Sequence, residues 1–253
     1  MSSESKTRWY NPETLAIVDQ VLGADGKKMI TPDARHARKL GLLPSVTSIC
    51  DQLTNYGVQD YRENAIAKAA CSFPFDGNPD HEGSVMTYVE MILSKAGEYA
   101  KQAADEGKAI HASVSRFYAD GITPENPVHY SVVRAVDAFL LEKGVTEILT
   151  EQAIGSAEKR CAGTPDIYGI RPSGIPLILD VKSTDLIKFK KPYESWMVQL
   201  GGYRYLEEDQ AEIAEAVADR NCGEVKFYEY PDGERWEEVF AMLVKIFCLR
   251  KKL

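Results

Sequence analysis

Asp180 and Lys182 stand two residues apart in Leu179-Asp180-Val181-Lys182. Side chains alternate along a strand, so an acid and an ammonium would leave the same face there while Val181 packs behind it. Asp166, in Gly163-Thr164-Pro165-Asp166, lies on the strand-like segment before, and Glu151 on the one before that. Three carboxylates and a lysine converging on one point suit the hydrolysis of a phosphodiester. That reaction needs an activated water and a counter-charge for a pentacovalent transition state, and divalent metals held by carboxylates supply both.

For the acids to converge, the segments that carry them must pair in one register. The texture of residues 147–154, 163–170 and 177–183, separated by short polar or Pro/Gly turns, predicts three consecutive strands in a meander. A three-residue loop at Pro172-Ser173-Gly174 sets Asp166 directly across from Asp180, whereas a two-residue loop puts them on opposite faces. Pro165 suits a strand start, where no ladder donor is needed, and Gly163 permits close backbone approach.

Upstream, apolar residues recur at helical spacing from Pro44 to Tyr118. This predicts helices over 58–71 and 86–118, the latter broken near Gly107, with a Pro/Gly/Asp-rich connector over 72–83 and a further helix over 127–143. Before them, a β-like run over 15–22, a turn at Ala24-Asp25-Gly26 and a short helix over 35–40 read as an N-terminal hairpin appendage. Helical spacing returns over 194–208, a strand is expected over 224–230, and an amphipathic helix over 236–249 closes the chain. No internal repeat is found. The expected fold class is α/β: a small mixed sheet carries the acids, helices flank it, and a largely helical N-terminal half forms a wall or arch over the site. One domain is expected over 1–253, with 1–43 as the appendage, 44–145 mainly helical, and 146–253 holding the catalytic sheet.

The bulk numbers narrow the partners. The 253 residues are 44% hydrophobic and 27% charged, as in an ordinary globular protein. A net charge of -8 argues against a protein that coats nucleic acid through bulk charge, so any such contact must be local. Lys182, Lys188, Lys190 and Lys191 are the candidates for a local basic groove. Cys50, Cys71, Cys161, Cys222 and Cys248 are scattered without a C-x-x-C pair, which indicates neither a zinc knuckle nor a disulfide framework and fits a reducing cytoplasm. A polar N-terminus and the lack of any transmembrane-length apolar run predict a cytoplasmic protein with no membrane partner.

Five elements appear in order: Gly107-Lys108-Ala109-Ile110-His111, Glu151, Gly163-Thr164-Pro165-Asp166, Asp180-Val181-Lys182, and Gln199-Leu200-Gly201-Gly202-Tyr203. In this order the sequence, over roughly residues 107–205, resembles the PD-(D/E)xK nuclease superfamily, more narrowly its RecB-like exonuclease branch, and is similar to phage recombination exonucleases. The resemblance implies a restriction-endonuclease-like core and a metal-dependent exodeoxyribonuclease acting on linear DNA ends in phage or prophage recombination, repair or processing. It implies that His111, Asp166, Asp180 and the Val181 carbonyl ligate metal, with Glu151 as an additional acidic ligand. Lys182 would position water or stabilise the transition state, and Gln199 and Tyr203 would orient the site. Hard oxygen donors suit magnesium, and a histidine makes manganese comfortable in one position, so Mg2+ or Mn2+ is the expected cofactor. The branch's iron-sulfur members carry a cysteine spacing that these five cysteines do not reproduce, so no iron-sulfur cluster is expected. A recombinase or helicase is a candidate protein partner, a host cytoplasm is the expected setting, and the sequence sets no oligomeric state.

Each residue also has a plainer reading. Asp180 and Lys182 could be a solvated cross-strand pair, His111 a satisfied core histidine, Glu151 a solvent-facing acid, and Gln199 and Tyr203 ordinary helix-packing residues. Trp196 and Met197 read as core rather than as a base-stacking platform, and the lysines after the Asp180 strand read equally as a solvated loop or a phosphate contact. Gly201 and Gly202, each costing about 1 kcal/mol inside a helix, suggest close packing on the sheet or on a DNA backbone. The alternative to an enzyme is a non-catalytic nucleic-acid-binding or assembly protein that keeps a nuclease fold. RNA is a further substrate option.

Overall fold

In the computed structural model, which describes residues 7–23, 27–53, 56–78, 81–207 and 211–253, the acids lie on a five-stranded mixed sheet with helices on both faces. In chain order the elements are β1 (Trp9–Tyr10), β2 (Val21–Leu22), β3 (Met29–Ile30), α1 (Ala34–Leu40), β4 (Leu43–Pro44), α2 (Val46–Cys50), α3 (Tyr56–Ser72), α4 (Glu82–Asp120) and α5 (Pro127–Glu142). Then follow β5 (Glu147–Thr150), β6 (Ile154–Ser156), β7 (Cys161–Gly163), β8 (Ile167–Ile170), β9 (Leu177–Thr184), α6 (Glu194–Leu206), β10 (Glu212–Asp219), β11 (Val225–Glu229) and α7 (Gly233–Lys251).

The main sheet runs in the order β11-β10-β9-β8-β5. Only β9 and β10 pair in parallel, joined by the crossover helix α6, and the other pairs are antiparallel. Strand alternation divides the core. Leu177, Leu179 and Val181 of β9 pack with Ala214, Ala216 and Ala218 of β10 against α4 and α5, while Ile178 and Ile213 turn to the opposite cluster with α2, α6 and α7. A sheet buried on both faces explains why β9 reads as a near-continuous apolar run until Asp180.

Several elements differ from what the sequence predicts. The run over 15–22 is not one strand: Asn11 Oδ1 accepts from the amides of Glu13 and Thr14, Leu15 turns to φ 54°, and only Val21–Leu22 pair with β3. The turn signal Ala24-Asp25-Gly26 and the Glu208 end of the predicted 194–208 helix lie outside the described residues. The 86–118 helix is not broken at Gly107, because one glycine costs only about 1 kcal/mol in a helix that α3, α5 and the sheet support along its length. Gly107 instead lets α4 approach β9: a Cβ there would meet Ser183 Oγ at 3.0 Å. The expected strand over 163–170 divides at Thr164-Pro165-Asp166 into β7 and β8, and the 147–154 strand ends where Glu151 takes a left-handed φ of 53°. The meander β5-β8-β9 is therefore interrupted by the separate β6-β7 hairpin. Among the described residues no helix is long and apolar enough to cross a membrane.

Gly201 and Gly202 serve neither the sheet nor a DNA backbone. They admit α7: a Cβ on Gly201 would overlap the Trp236 carbonyl, and one on Gly202 would meet the Phe240 ring and Val46 at 2.7 Å. A backbone obstacle cannot swing away as a side chain can. Gly201→Ala is therefore expected to lower stability by about 1–3 kcal/mol, through overpacking that exceeds the gain in helix propensity. Thermal unfolding checks this, and an unchanged or raised midpoint would contradict the packing account.

Candidate active site

The β8-β9 register brings the acids together. Ile167 lies opposite Leu179, so Asp166, one residue before the ladder, comes into line with Asp180. The connection is wider than a three-residue loop, since pairing ends at Gly169 and Leu177, but the register is the same one. Pro165 breaks the strand at this point, where it can offer no donor. The freed Thr164 carbonyl accepts from the Tyr203 hydroxyl at 3.3 Å, and Thr164 Oγ1 pairs with the Tyr10 hydroxyl at 2.9 Å. Gly163 makes room for this, because a Cβ would meet the Tyr203 ring at 2.7 Å.

One connected network follows. Asp166 Oδ1 is 3.0 Å from His111 Nδ1, and its Oδ2 accepts from the Val181 amide at 2.7 Å. Asp180 Oδ2 is ion-paired with Lys182 Nζ at 2.5 Å, and Lys182 Nζ also donates to Gln199 Oε1 at 3.0 Å. Gln199 Nε2 reaches Asp180 Oδ1 at 3.4 Å and the Tyr203 hydroxyl at 3.0 Å. Gln199 and Tyr203 are four apart and share one face of α6, which lies over the acids. The solvated-pair reading of Asp180 does not describe this geometry, since its side chain is only 4% exposed.

Burial and charge set the protonation states. For Asp166, burial favours the neutral acid, but His111, Lys182 and the Val181 amide outweigh it and hold the carboxyl below its ordinary value. For Asp180, burial together with the charge of Asp166 outweighs Lys182 and pushes the carboxyl up. Burial opposes the charges of Lys182 and His111, yet the neighbouring carboxylates hold both above their ordinary values. Glu151 is exposed at the cavity mouth, and partial desolvation and then the charge of Asp166 raise its carboxyl. Lys182 is paired with Asp180 and His111 with Asp166, and Asp180 remains raised despite its ammonium partner.

These residues line an open cavity of about 770 Å³. His111, Glu151, Asp166, Asp180, Lys182, Gln199 and Tyr203 all face it, whereas the Val181 side chain is buried behind the sheet and its amide serves Asp166. Three further cations share the lining: Arg8 from the N-terminal segment, and from α4 Lys108, which lies inside the first of the ordered elements, and Arg116, which lies outside them. None of the three makes an ion pair with a described residue. The shared helical face of Lys108, His111, Ser115 and Arg116 was the sequence signal for the two α4 cations, and Arg8 had none. Glu215, fully buried on β10 beside Asp180, was also missed. An acid in the apolar run Ile213-Ala214-Glu215-Ala216-Val217 was the available clue.

The donor set fits a hard divalent cation. Asp166, Asp180 and Glu151 offer carboxylate oxygens, and Asp180 Oδ2 has no well-directed hydrogen bond beyond its ion pair. The carboxylates here are engaged by His111, Val181, Lys182 and Gln199, and among the described residues no three acidic, histidine or cysteine side chains already point at a common metal position. Occupancy would therefore exchange some of these hydrogen bonds for metal ligation.

No family model and no curated protein matches the chain. Among solved structures, the chain is similar to SSO0001, known from a crystal structure, at 18% identity over 51% of this chain and 70% of that one, with a TM-score of 0.27.

Glu215 makes the electrostatics of this face measurable. Burial raises its carboxyl from about 4.5 to about 8, only partly offset by Lys182; Tyr230 donates to one oxygen at 2.9 Å and the other has no partner. Below pH 4.5 the folded and unfolded states are both protonated. As pH rises toward 8 the unfolded chain releases this proton while the folded chain keeps it, so stability falls, and above 8 the penalty is constant. Glu215→Gln keeps an acceptor for Tyr230 and removes the titration. Its stability relative to wild type is expected to rise by about 3 kcal/mol between pH 5 and pH 8, as denaturant titrations at the two pH values would show. A difference independent of pH would contradict the assignment.

Proposed function

We propose that the chain is a metal-dependent nuclease that hydrolyses DNA phosphodiester bonds. The observation that carries this reading is the network Asp166-His111 and Asp180-Lys182-Gln199-Tyr203 on the wall of a cavity that also holds Glu151 and three cations without an ion pair to a described residue. A restriction-endonuclease-like core, exonucleolytic action and a role in phage or prophage DNA processing rest on the resemblance of the ordered motifs.

In this reading Asp166, Asp180 and the Val181 carbonyl hold magnesium or manganese, with Glu151 as a further acidic ligand. His111 contributes either its free ring nitrogen or, on releasing Asp166, Nδ1. Such an ion would supply Lewis-acid chemistry and make water at the site more acidic. Lys182 places an ammonium where the attacking water and the charge growing on the phosphoryl oxygens need it. Gln199 fixes that ammonium by accepting a hydrogen bond from it, and Tyr203 fixes Gln199 in turn by accepting from its amide. Tyr203, whose hydroxyl burial holds well above the ordinary value, stays a neutral donor and does not act as a base. Arg8, Lys108 and Arg116 provide the local positive charge that a chain of net charge -8 needs to hold a polyanion.

The test is degradation of end-labelled linear DNA and of closed circular DNA by wild type and Lys182→Ala, each with magnesium, manganese or chelator. Loss of linear DNA alone, only with metal, and slowed by about 100-fold or more in Lys182→Ala, is expected. Cleavage of the circle would replace the exonuclease assignment with an endonuclease. No cleavage of either DNA, or full activity in Lys182→Ala, would contradict the proposal.

A further inference from the structure

Two residues beyond Lys182, a short segment presents a surface that the mechanism above does not use. Asp185 organises it: its Oδ1 accepts from the Ile187 amide at 3.1 Å, and its carbonyl accepts from the amides of Lys188 and Phe189. Leu186 anchors it, buried and donating its amide to Asp219 Oδ2 at 2.8 Å. The segment then holds out Ile187, 93% exposed, and turns Phe189, half-buried, against Trp196, Tyr193 and Tyr228. The Phe189 ring stacks on Trp196 with centroids 5.7 Å apart and planes 17° from parallel, and Tyr193 meets both rings edge-on.

This is not core in the usual sense. Phe189, Tyr193 and Trp196 belong to none of the hydrophobic clusters of the described residues, and all three are half-buried, whereas Met197 packs on the main core as the sequence suggests. Lys190 and Lys191 are exposed beside the rings and make no ion pair with a described residue. The platform adjoins the candidate site directly. Trp196 is one helical turn before Gln199 on α6, and Lys182 Nζ lies 6.0 Å from the centre of its ring.

Half-exposed rings next to lysines that make no ion pair with a described residue match the two needs of a nucleic acid strand with unpaired bases: a π-face for the base and a cation for the phosphate. A duplex satisfies only the second, because its base faces are already stacked. We infer that Phe189 and Trp196, flanked by Lys190 and Lys191, form a stacking platform that binds single-stranded DNA, tolerant of sequence, and leads it toward the Lys182 cavity. This specifies the substrate of the proposed nuclease and rests on that reading for its purpose, but the binding itself needs no metal and no chemistry.

The test therefore runs in chelator, by anisotropy of a labelled twelve-residue thymidine oligonucleotide and of a blunt duplex of equal length, with tryptophan fluorescence read in parallel. Trp9 and Trp236 are 2% and 6% exposed, so quenching by the oligonucleotide reports on Trp196. Expected are quenching in wild type, about tenfold weaker single-strand binding in Phe189→Ala with the duplex little changed, and a salt slope reduced by about 1.4 in the exposed double variant Lys190→Glu/Lys191→Glu. The double variant keeps the inference falsifiable if Phe189→Ala fails to fold. No quenching and no single-strand binding in wild type, duplex and single strand weakened equally by Phe189→Ala, or a ribo-oligomer bound more than tenfold tighter would overturn it. Single-strand binding without any metal-dependent cleavage would retain the platform and refute the nuclease reading, so the two failures are distinct.

Discussion

Asp166, Asp180 and Lys182 are held together on the cavity-facing side of a five-stranded sheet, and each would be costly to bury alone. The Asp180-Lys182 pair offsets part of that cost for two of them, and His111 with the Val181 amide offsets it for the third. The offset is incomplete: burial, and after it the charge of Asp166 alongside, pushes Asp180 toward its neutral form despite Lys182. A site in which two acids compete for too little positive charge gains when a cation enters, and much of the surrounding architecture keeps the acids from relaxing apart.

That architecture is a set of close approaches. The parallel β9-β10 pair needs a crossover, and α6 supplies it while carrying Gln199 and Tyr203 over the acids. The helix can lie there because Gly201 and Gly202 let α7 press on its far side and Gly163 admits the Tyr203 ring. On the other side α4 meets β9 at Gly107 and delivers His111, Lys108 and Arg116 to the cavity. Glycines at three contacts thus set distances that the hydrogen bonds of the site require, and substitutions far from the acids would be felt through them.

The part of this arrangement legible in the sequence was the part governed by local periodicity. Alternation in β9 placed Asp180 and Lys182 on one face, and the register argument aligned Asp166 with Asp180 because parity along a strand is all that such an argument needs. Helical spacing likewise put Gln199 and Tyr203 together. Local rules failed where tertiary support outweighs them, as at Gly107, and where one residue redirects the chain, as Pro165 does between β7 and β8. Arg8 and Glu215 reach the site through β1 and β10, contacts between distant segments that no spacing encodes. Trp196 stacks with Phe189 from a separate loop outside the core clusters, a pairing that helical spacing does not encode.

The most direct test of the central claim is binding rather than catalysis: titration of Mn2+ into the protein, with free ion read by electron paramagnetic resonance, for wild type, Asp166→Asn and Asp180→Asn. The account predicts saturable binding to wild type, weakened about tenfold or more in each variant, since either change removes both a ligand and the charge that demands the cation. Equal binding in all three proteins, or none in wild type, would contradict it.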